Sequence, residues 1–324
     1  MDNFFYWLWY RDKFLHLFLY PFNLIPLLIV KTKKFLYSSG FLKVSKINAK
    51  VIVIGNLTLG GTGKTPIVID LAERLTLAGK KVGIISRGYK GVREVDPLLV
   101  DGSASVESCG DEALMMKETL HLPVVVGVKR VEAANLLLKH YDVDVILSDD
   151  GLQHFQLGRD HEIIVSSDSL SNRNRLMVPF GPYRSSIHDH LSADLYFNKG
   201  GGTGAAIGFT LEPSLLFSLS DGCSVDFSVF DNNFHAVTAI ADPDHFFKTI
   251  TKYRSDFYRH KFPDHHYFSI QELTFDDGLP IIMTKKDAVK CKNYTHLPIY
   301  YVDAKVKYEG AGEEIINTYI ESML

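Results

Sequence analysis

The sequence predicts an α/β protein. It should have a mainly parallel sheet, a second, smaller α/β unit near the C-terminus and a membrane-associating N-terminal helix. Three observations carry this expectation. Short Val/Ile runs alternate with helix-periodic segments from Ala49 to Ser166, as in sheets whose strands are buried on both faces. Gly-rich and polar residues around 198–204 interrupt that series, and a second alternating series follows. The first 50 residues are both very apolar and strongly basic.

Taken in order, residues 50–54 are β-branched and read as a strand. A Gly-rich turn follows, then an apolar-periodic helix near 66–78 with Gly79 as its C-cap. Strands are expected at 81–85, 124–128, 143–148 and 161–166, with helices at 111–121 and 131–140 between them. Residues 205–232 read as short strands. The second unit is expected to comprise strands at 234–241, 279–283 and 299–302, with helices at 243–253, 287–290 and 311–324; Pro243 suits a first helical turn. The expected boundaries are 1–48 for the N-terminal segment, 49–204 for the main domain, 205–233 for linker strands and 234–324 for the smaller domain.

Composition excludes several classes. The 324 residues are 46% hydrophobic and 23% charged, without the bias of disordered or collagen-like chains. A formal charge of -3 argues against non-specific nucleic-acid binding as the main task. Cys109, Cys223 and Cys291 are sparse, form no CxxC pair and fit a reducing compartment. Residues 1–50 carry eight Lys or Arg against Asp2 and Asp12. The apolar stretches 4–10 and 14–30 are followed by Lys31, Lys33 and Lys34, with no small-residue cleavage site before that basic cluster. Pro21, Asn23 and Pro26 interrupt the longer run, which is short for a straight span of about 20 residues; its aromatic and basic flanks suit a bilayer interface.

The segment V-I-V-I-G-N-L-T-L-G-G-T-G-K-T-P, 51–66, carries the most specific chemistry. A strand delivers a turn whose glycines let backbone N–H groups close around phosphate oxygens, and the next helix aims its N-terminus at the same charge. Gly55, Asn56, Thr58, Gly60, Gly61, Thr62, Gly63, Lys64, Thr65 and Pro66 are the expected nucleotide contacts. Lys64 can reach terminal phosphates, and the Thr65 hydroxyl can ligate Mg²⁺. The fit to G-x-x-x-x-G-K-[ST] is imperfect, because Thr58 stands where a glycine is usual. A P-loop site for ATP or GTP also needs an acidic strand end. Asp149 and Asp150 supply it: one carboxylate would hold the metal directly or through water, the other would orient loop or ligand.

Several motifs, in order along nearly the whole chain, resemble the tetraacyldisaccharide 4'-kinase family. They are the glycine loop at 55–66, I-S-R-G-Y at 85–89, G-D-E-A at 110–113, D-D-G-L-Q-H at 149–154, G-P-Y-R at 181–184, F-P-D-H-H at 262–266 and M-T-K-K-D-A-V-K at 283–290. The resemblance implies transfer of the ATP γ-phosphate to the 4'-hydroxyl of a tetraacyldisaccharide 1-phosphate in lipid A biosynthesis. It further implies Mg²⁺, work at the cytoplasmic face of the bacterial inner membrane, a phospholipid surface as partner and no obligate protein partner. By the same resemblance Asp111 is the carboxylate that activates the sugar hydroxyl, and His265 is its partner, with His266 as the competing assignment. Arg87 and Tyr89 follow the second strand and should project from the phosphate-loop edge, for anion contact and for sugar stacking or hydroxyl contact. Arg130 opens a helix where a guanidinium could face phosphate; Gln153 and His154 extend the acidic loop, and the resemblance implies that they approach metal or nucleotide.

Two positions depart from the family pattern. Ser185 stands where a Glu often follows the G-P-x-R segment, and Lys285 replaces the Glu of M-T-E-K-D, so neither acidic role transfers. Asp287 and Lys286 remain candidates for closing the second unit over the site. A nucleotide-dependent switch or chaperone would share the loop without depending on Asp111 and His265. A membrane-bound interaction protein with a merely structural loop would bind little nucleotide.

Overall fold

The computed structural model describes residues 9, 18–167, 174–202, 204–230 and 233–323. Apart from Trp9, the apolar stretch 4–10 and the first part of the 14–30 run lie outside these residues. In chain order the strands are β1 (Lys50–Gly55), β2 (Val82–Ser86), β3 (Leu98–Val100), β4 (Val124–Val126), β5 (Val145–Asp149), β6 (His161–Ser167), β7 (Leu195–Lys199), β8 (Ile207–Ser218), β9 (Ser224–Val225), β10 (His235–Thr238), β11 (Tyr258–Lys261), β12 (Ile281–Thr284) and β13 (Ile299–Tyr308). The α-helices are α1 (Leu24–Ser38), α2 (Lys64–Leu77), α3 (Val106–Cys109), α4 (Asp111–Leu120), α5 (Arg130–His140), α6 (Pro243–Thr251), α7 (Lys285–Ala288) and α8 (Gly312–Glu321).

Hydrogen bonding joins the strands into one mixed, mostly parallel sheet in the order β11-β10-β12-β13-β8-β7-β6-β1-β5-β2-β4-β3, with β9 paired to β8. Strand β1 lies between β5 and β6, parallel to both, so its carboxyl end opens between two crossovers. That is where parallel sheets place ligands. The sheet changes direction where β8 meets β13 antiparallel, and β13, β12, β10 and β11 then run parallel to one another. Within the segment expected as linker strands, β8 is a single 12-residue strand.

Val51–Ile54 are at most 1% exposed, which explains the uninterrupted apolar run. On one face Ile67, Leu71 and Leu75 of α2 pack with Met116 of α4 and Ile316 of α8; on the other Ala133, Ala134 and Leu137 of α5 cover Val51, Ile85 and Ile146. Each buried Ile or Leu contributes about 1.5–3 kcal/mol. Phe234, Phe246, Phe247 and Ile250 form a separate cluster around β10 and α6.

Helix α1 has no buried residue. Leu24, Ile25, Leu28, Ile29 and Phe35 are each about 60% exposed, an apolar surface left open on a helix whose N-cap Asn23 accepts from Met177 N–H at 2.6 Å. Lys33 donates to the Gln153 carbonyl at 3.2 Å, and Lys34 bonds the Asp189 carbonyl. Among the described residues no helix is long and apolar enough to cross a membrane.

Candidate active site

The turn after β1 becomes a cradle through two local devices. Gly63 caps α2 at φ 87°, a left-handed conformation that side chains disfavour, and Gly60 sits at φ 117°. Thr58 occupies the position where glycine is usual, and it needs no such freedom because it forms an antiparallel bridge with Tyr183. The flanking bonds, Leu59 N–H to the Pro182 carbonyl at 2.8 Å and Arg184 N–H to the Leu57 carbonyl at 2.7 Å, zip the loop to the G-P-Y-R segment. Pro66 lies in the first turn of α2, where a missing N–H is harmless. Gly55 is held against Leu152, and a Cβ on Gly61 would come within 3.2 Å of Ala241. Among the described residues the buried Asn56 Oδ1 and Thr62 Oγ1 have no hydrogen-bond partner, so the loop presents unsatisfied polar atoms as well as N–H groups.

Lys64 Nζ lies 3.6 Å from Asp150, and Arg184 Nη1 meets both oxygens of that carboxylate at 2.8 and 2.9 Å. Burial works to raise the Asp150 pKa, but the Lys64 and Arg184 charges outweigh it and hold the group down at about 2. Asp149 differs. It is 1% exposed, its Oδ1 has no partner, and its Oδ2 is 3.5 Å from the Ser86 hydroxyl. Burial, reinforced by the charge of Glu112, pushes it up to about 7. Thr65, 8% exposed, is the second residue of α2 and lines the same cavity as Lys64.

Arg130 was expected to face phosphate, but it is 1% exposed and spends Nη1 on the Gly127 carbonyl at 2.7 Å. Its Nη2 donates to the Asp149 and Asp150 carbonyls at 3.3 and 3.4 Å, so here it holds the acidic loop from behind. A phosphate contact would require it to leave these carbonyls. Burial lowers its pKa to about 10. The Gln153 amide nitrogen is buried without a partner, and burial together with the charge of Arg130 depresses His154 to about 4, leaving the ring neutral.

A second constellation is assembled from distant segments. Gly110, at φ 83°, lets the start of α4 approach the turn after β2 so closely that a Cβ there would lie 2.6 Å from the Tyr89 carbonyl. This sets Asp111, 4% exposed, at the first position of α4. His265, 154 residues onward, donates from Nδ1 to its two oxygens at 3.0 and 2.8 Å. Burial would raise the Asp111 pKa, but this hydrogen bond and the Lys286 charge reverse the sign and lower it. Tyr89 packs edge-on against the His265 ring at 5.2 Å, while Arg87 and Tyr89 remain exposed. His266, the competing residue, turns away to Glu272, at 3.1 Å from both oxygens.

An ion network centred on Lys286, one of the residues expected to close the second unit over the site, surrounds this pair. Lys286 reaches Glu112 at 2.9 Å, Asp264 at 3.8 Å and Asp111 at 3.9 Å. Burial opposes its charge, yet the three carboxylates raise its pKa. Asp287, fully buried, accepts from Thr238, Ala239 N–H, Thr284 and Lys290, fastening α7 to β10. Lys285 pairs with Asp303 at 3.2 Å. Ser185 is buried in a chain running through His190 Nε2 at 3.1 Å to Glu162, which His190 Nδ1 meets at 2.6 Å. A cavity of about 650 Å³ extends from the loop at Gly60–Pro66 to Ala241, His245 and Lys285. Arg184 was legible only as part of a motif; its Asp150 clamp depends on pairing that local patterns do not encode.

Along most of its length the chain matches known proteins of one family. The sequence profile of the tetraacyldisaccharide-1-P 4'-kinase family, LpxK, matches residues 15–321. The tetraacyldisaccharide 4'-kinase of Legionella pneumophila (strain Lens) is 36% identical over 299 residues, covering 92% of this chain and 92% of the relative. That of Hahella chejuensis (strain KCTC 2396) is 34% identical over 323 residues, covering 97% and 96%. A crystal structure from Aquifex aeolicus, described as an "apo" form of LpxK in complex with ATP, aligns with a TM-score of 0.77 at 29% identity and covers 94% of this chain and 98% of that one. By sequence along almost its entire length and by fold, the chain belongs to the tetraacyldisaccharide 4'-kinase family.

Proposed function

We propose that this protein transfers the γ-phosphate of ATP to the 4'-hydroxyl of a tetraacyldisaccharide 1-phosphate, a step of lipid A biosynthesis. The observation that carries the reading is the Asp111–His265 pair, with Asp111 Oδ2 and His265 Nδ1 2.8 Å apart, whose neighbours Glu112 and Lys286 line the same cavity as the glycine loop and Lys64. Backbone N–H groups of residues 60–65 and the Lys64 ammonium stabilise phosphate charge. Lys64 rests against Asp150, so it is held near the loop before nucleotide arrives. Asp111 keeps its charge because His265 and Lys286 support it, and it can accept the proton of an incoming hydroxyl. In-line transfer then needs no covalent enzyme intermediate.

Mg²⁺ would be held by the Thr65 hydroxyl and Asp149, whose unpartnered buried oxygen suits a hard cation. Bound there, it would neutralise charge on the β- and γ-phosphates. Asp150, clamped by Arg184 and Lys64, orients the loop. Arg87 and Tyr89, exposed beside His265, are positioned for the disaccharide. Residues 234–324 form the smaller domain that closes over residues 49–204 and excludes water, a division supported by the delivery of His265 across the site.

The exposed apolar residues of α1, with Lys31, Lys33 and Lys34, support a seat at the phospholipid surface on the cytoplasmic face of the inner membrane. Replacing Leu28 and Ile29 together by Glu should abolish sedimentation with anionic vesicles; retained sedimentation would remove α1 from that role. The activity itself is tested with γ-labelled ATP and a tetraacyldisaccharide 1-phosphate. Label should reach the acceptor only when Mg²⁺ is present. Release of inorganic phosphate without any labelled lipid would contradict the kinase reading.

A further inference from the structure

Lys199 ends strand β7 and lies in the wall of the same cavity as the glycine loop. Strand β7 is separated from β1 by β6, whereas Asp149 and Asp150 approach from β5 on the other side of β1. A methyl group built on Gly63 would stand 3.6 Å from Lys199 Cδ, so the lysine stem passes beside the turn that caps α2. Among the described residues the half-buried Lys199 side chain makes no hydrogen bond and no ion pair. Burial lowers its pKa, and the charge of Asp242 offsets only part of that effect. His245, also in the cavity wall, has a buried Nε2 without a partner among the described residues, and burial together with the charge of Lys199 lowers its pKa.

A half-buried cation that only the Asp242 charge offsets gains from a facing anion, and a polyphosphate crossing Gly63 would supply one. We infer that Lys199 is a second phosphate-contacting cation of the nucleotide cavity, reaching the polyphosphate from the β7 side while Lys64 reaches it from α2. The inference rests on the nucleotide reading of the loop and adds a residue that neither the loop pattern nor the family motifs contain. Lys199 contributes to binding by charge and does not move a proton.

The test compares wild type with Lys199→Met and Lys199→Arg by calorimetric titration of ATP and adenosine, and by thermal unfolding without ligand. Lys199→Met should weaken ATP about tenfold or more, leave adenosine affinity within twofold, and leave the unliganded midpoint equal to or above wild type. Lys199→Arg should recover most of the ATP affinity. An ATP affinity within twofold of wild type in Lys199→Met would overturn the inference. A parallel loss for adenosine, or a fall in the unliganded midpoint that accounts for the loss, would do so too. Wild-type protein that bound no ATP would overturn the nucleotide reading and this inference together, whereas wild-type binding with an unaffected Met variant overturns this inference alone.

Discussion

The proposed phosphate end of the site is made from one continuous stretch, Gly55–Pro66, whereas the proposed hydroxyl-activating end joins Asp111 to a histidine 154 residues later. At the phosphate end the chemistry belongs largely to the backbone: two left-handed glycines and a helix start create the donors, and side chains refine them. At the other end everything depends on side chains held by burial and by a network of carboxylates around Lys286. The first design tolerates Thr58 in place of glycine because β-bridging to Tyr183 fixes the same loop. The second has no such redundancy, since Gly110, Asp111 and His265 must all be in place for one contact.

This contrast can be broken most strongly at Asp111. Asp111→Asn should lower kcat about 100- to 10,000-fold, the range for a general base, while ATP affinity measured by titration stays within twofold. Lys64→Ala should lower transfer about 100- to 1,000-fold, with weaker ATP binding, as expected for loss of one charge-stabilising donor. A scaffold test follows at Asp287, which is 0% exposed and paired with Lys290 at 2.7 Å. Asp287→Ala should cost about 3–5 kcal/mol in urea unfolding because it strands a buried ammonium. Arg184→Met should release Asp150 and weaken ATP about tenfold, while the glycine loop remains held by the backbone bonds at Leu57 and Leu59.

The smallest effect concerns pH. The folded-state pKa of Asp111 is below its ordinary value, so its contribution to stability is complete above the ordinary aspartate range and disappears as pH falls through the lowered value. The difference in thermal midpoint between wild type and Asp111→Asn should therefore stay constant from pH 7 to about 5 and narrow on further acidification. A gap that widened in acid would reverse the assigned sign.

The two ends also differed in how much the sequence disclosed. Strand β1, the glycine turn and α2 follow from local chemistry: a β-branched run, residues free to adopt positive φ, and an apolar period. Asp149 and Asp150 were legible as a strand end, but their separation into an unpartnered carboxylate and a clamped one required Arg184 and burial. Residue patterning did not expose β7 and β11: β7, Leu195–Lys199, lacks a β-branched run, and β11 reads Tyr-Arg-His-Lys at the sheet edge. The 299–302 strand was expected short because the continuation of β13, 303–308, alternates with Asp and Lys; pairing with β8 carries it to Tyr308. Arg130 looked like a ligand contact from its helix-start position, and only tertiary placement reveals that its guanidinium braces the acidic loop.

The central claim is that Asp111 and His265 act as one unit formed across the site. The most direct measurement is a double-mutant cycle on kcat for lipid phosphorylation, using Asp111→Asn, His265→Ala and the pair, each variant checked for ATP binding. The account predicts that the double variant is no slower than the slower single variant, with ATP affinity preserved throughout. Losses that multiplied independently in the double variant would contradict it.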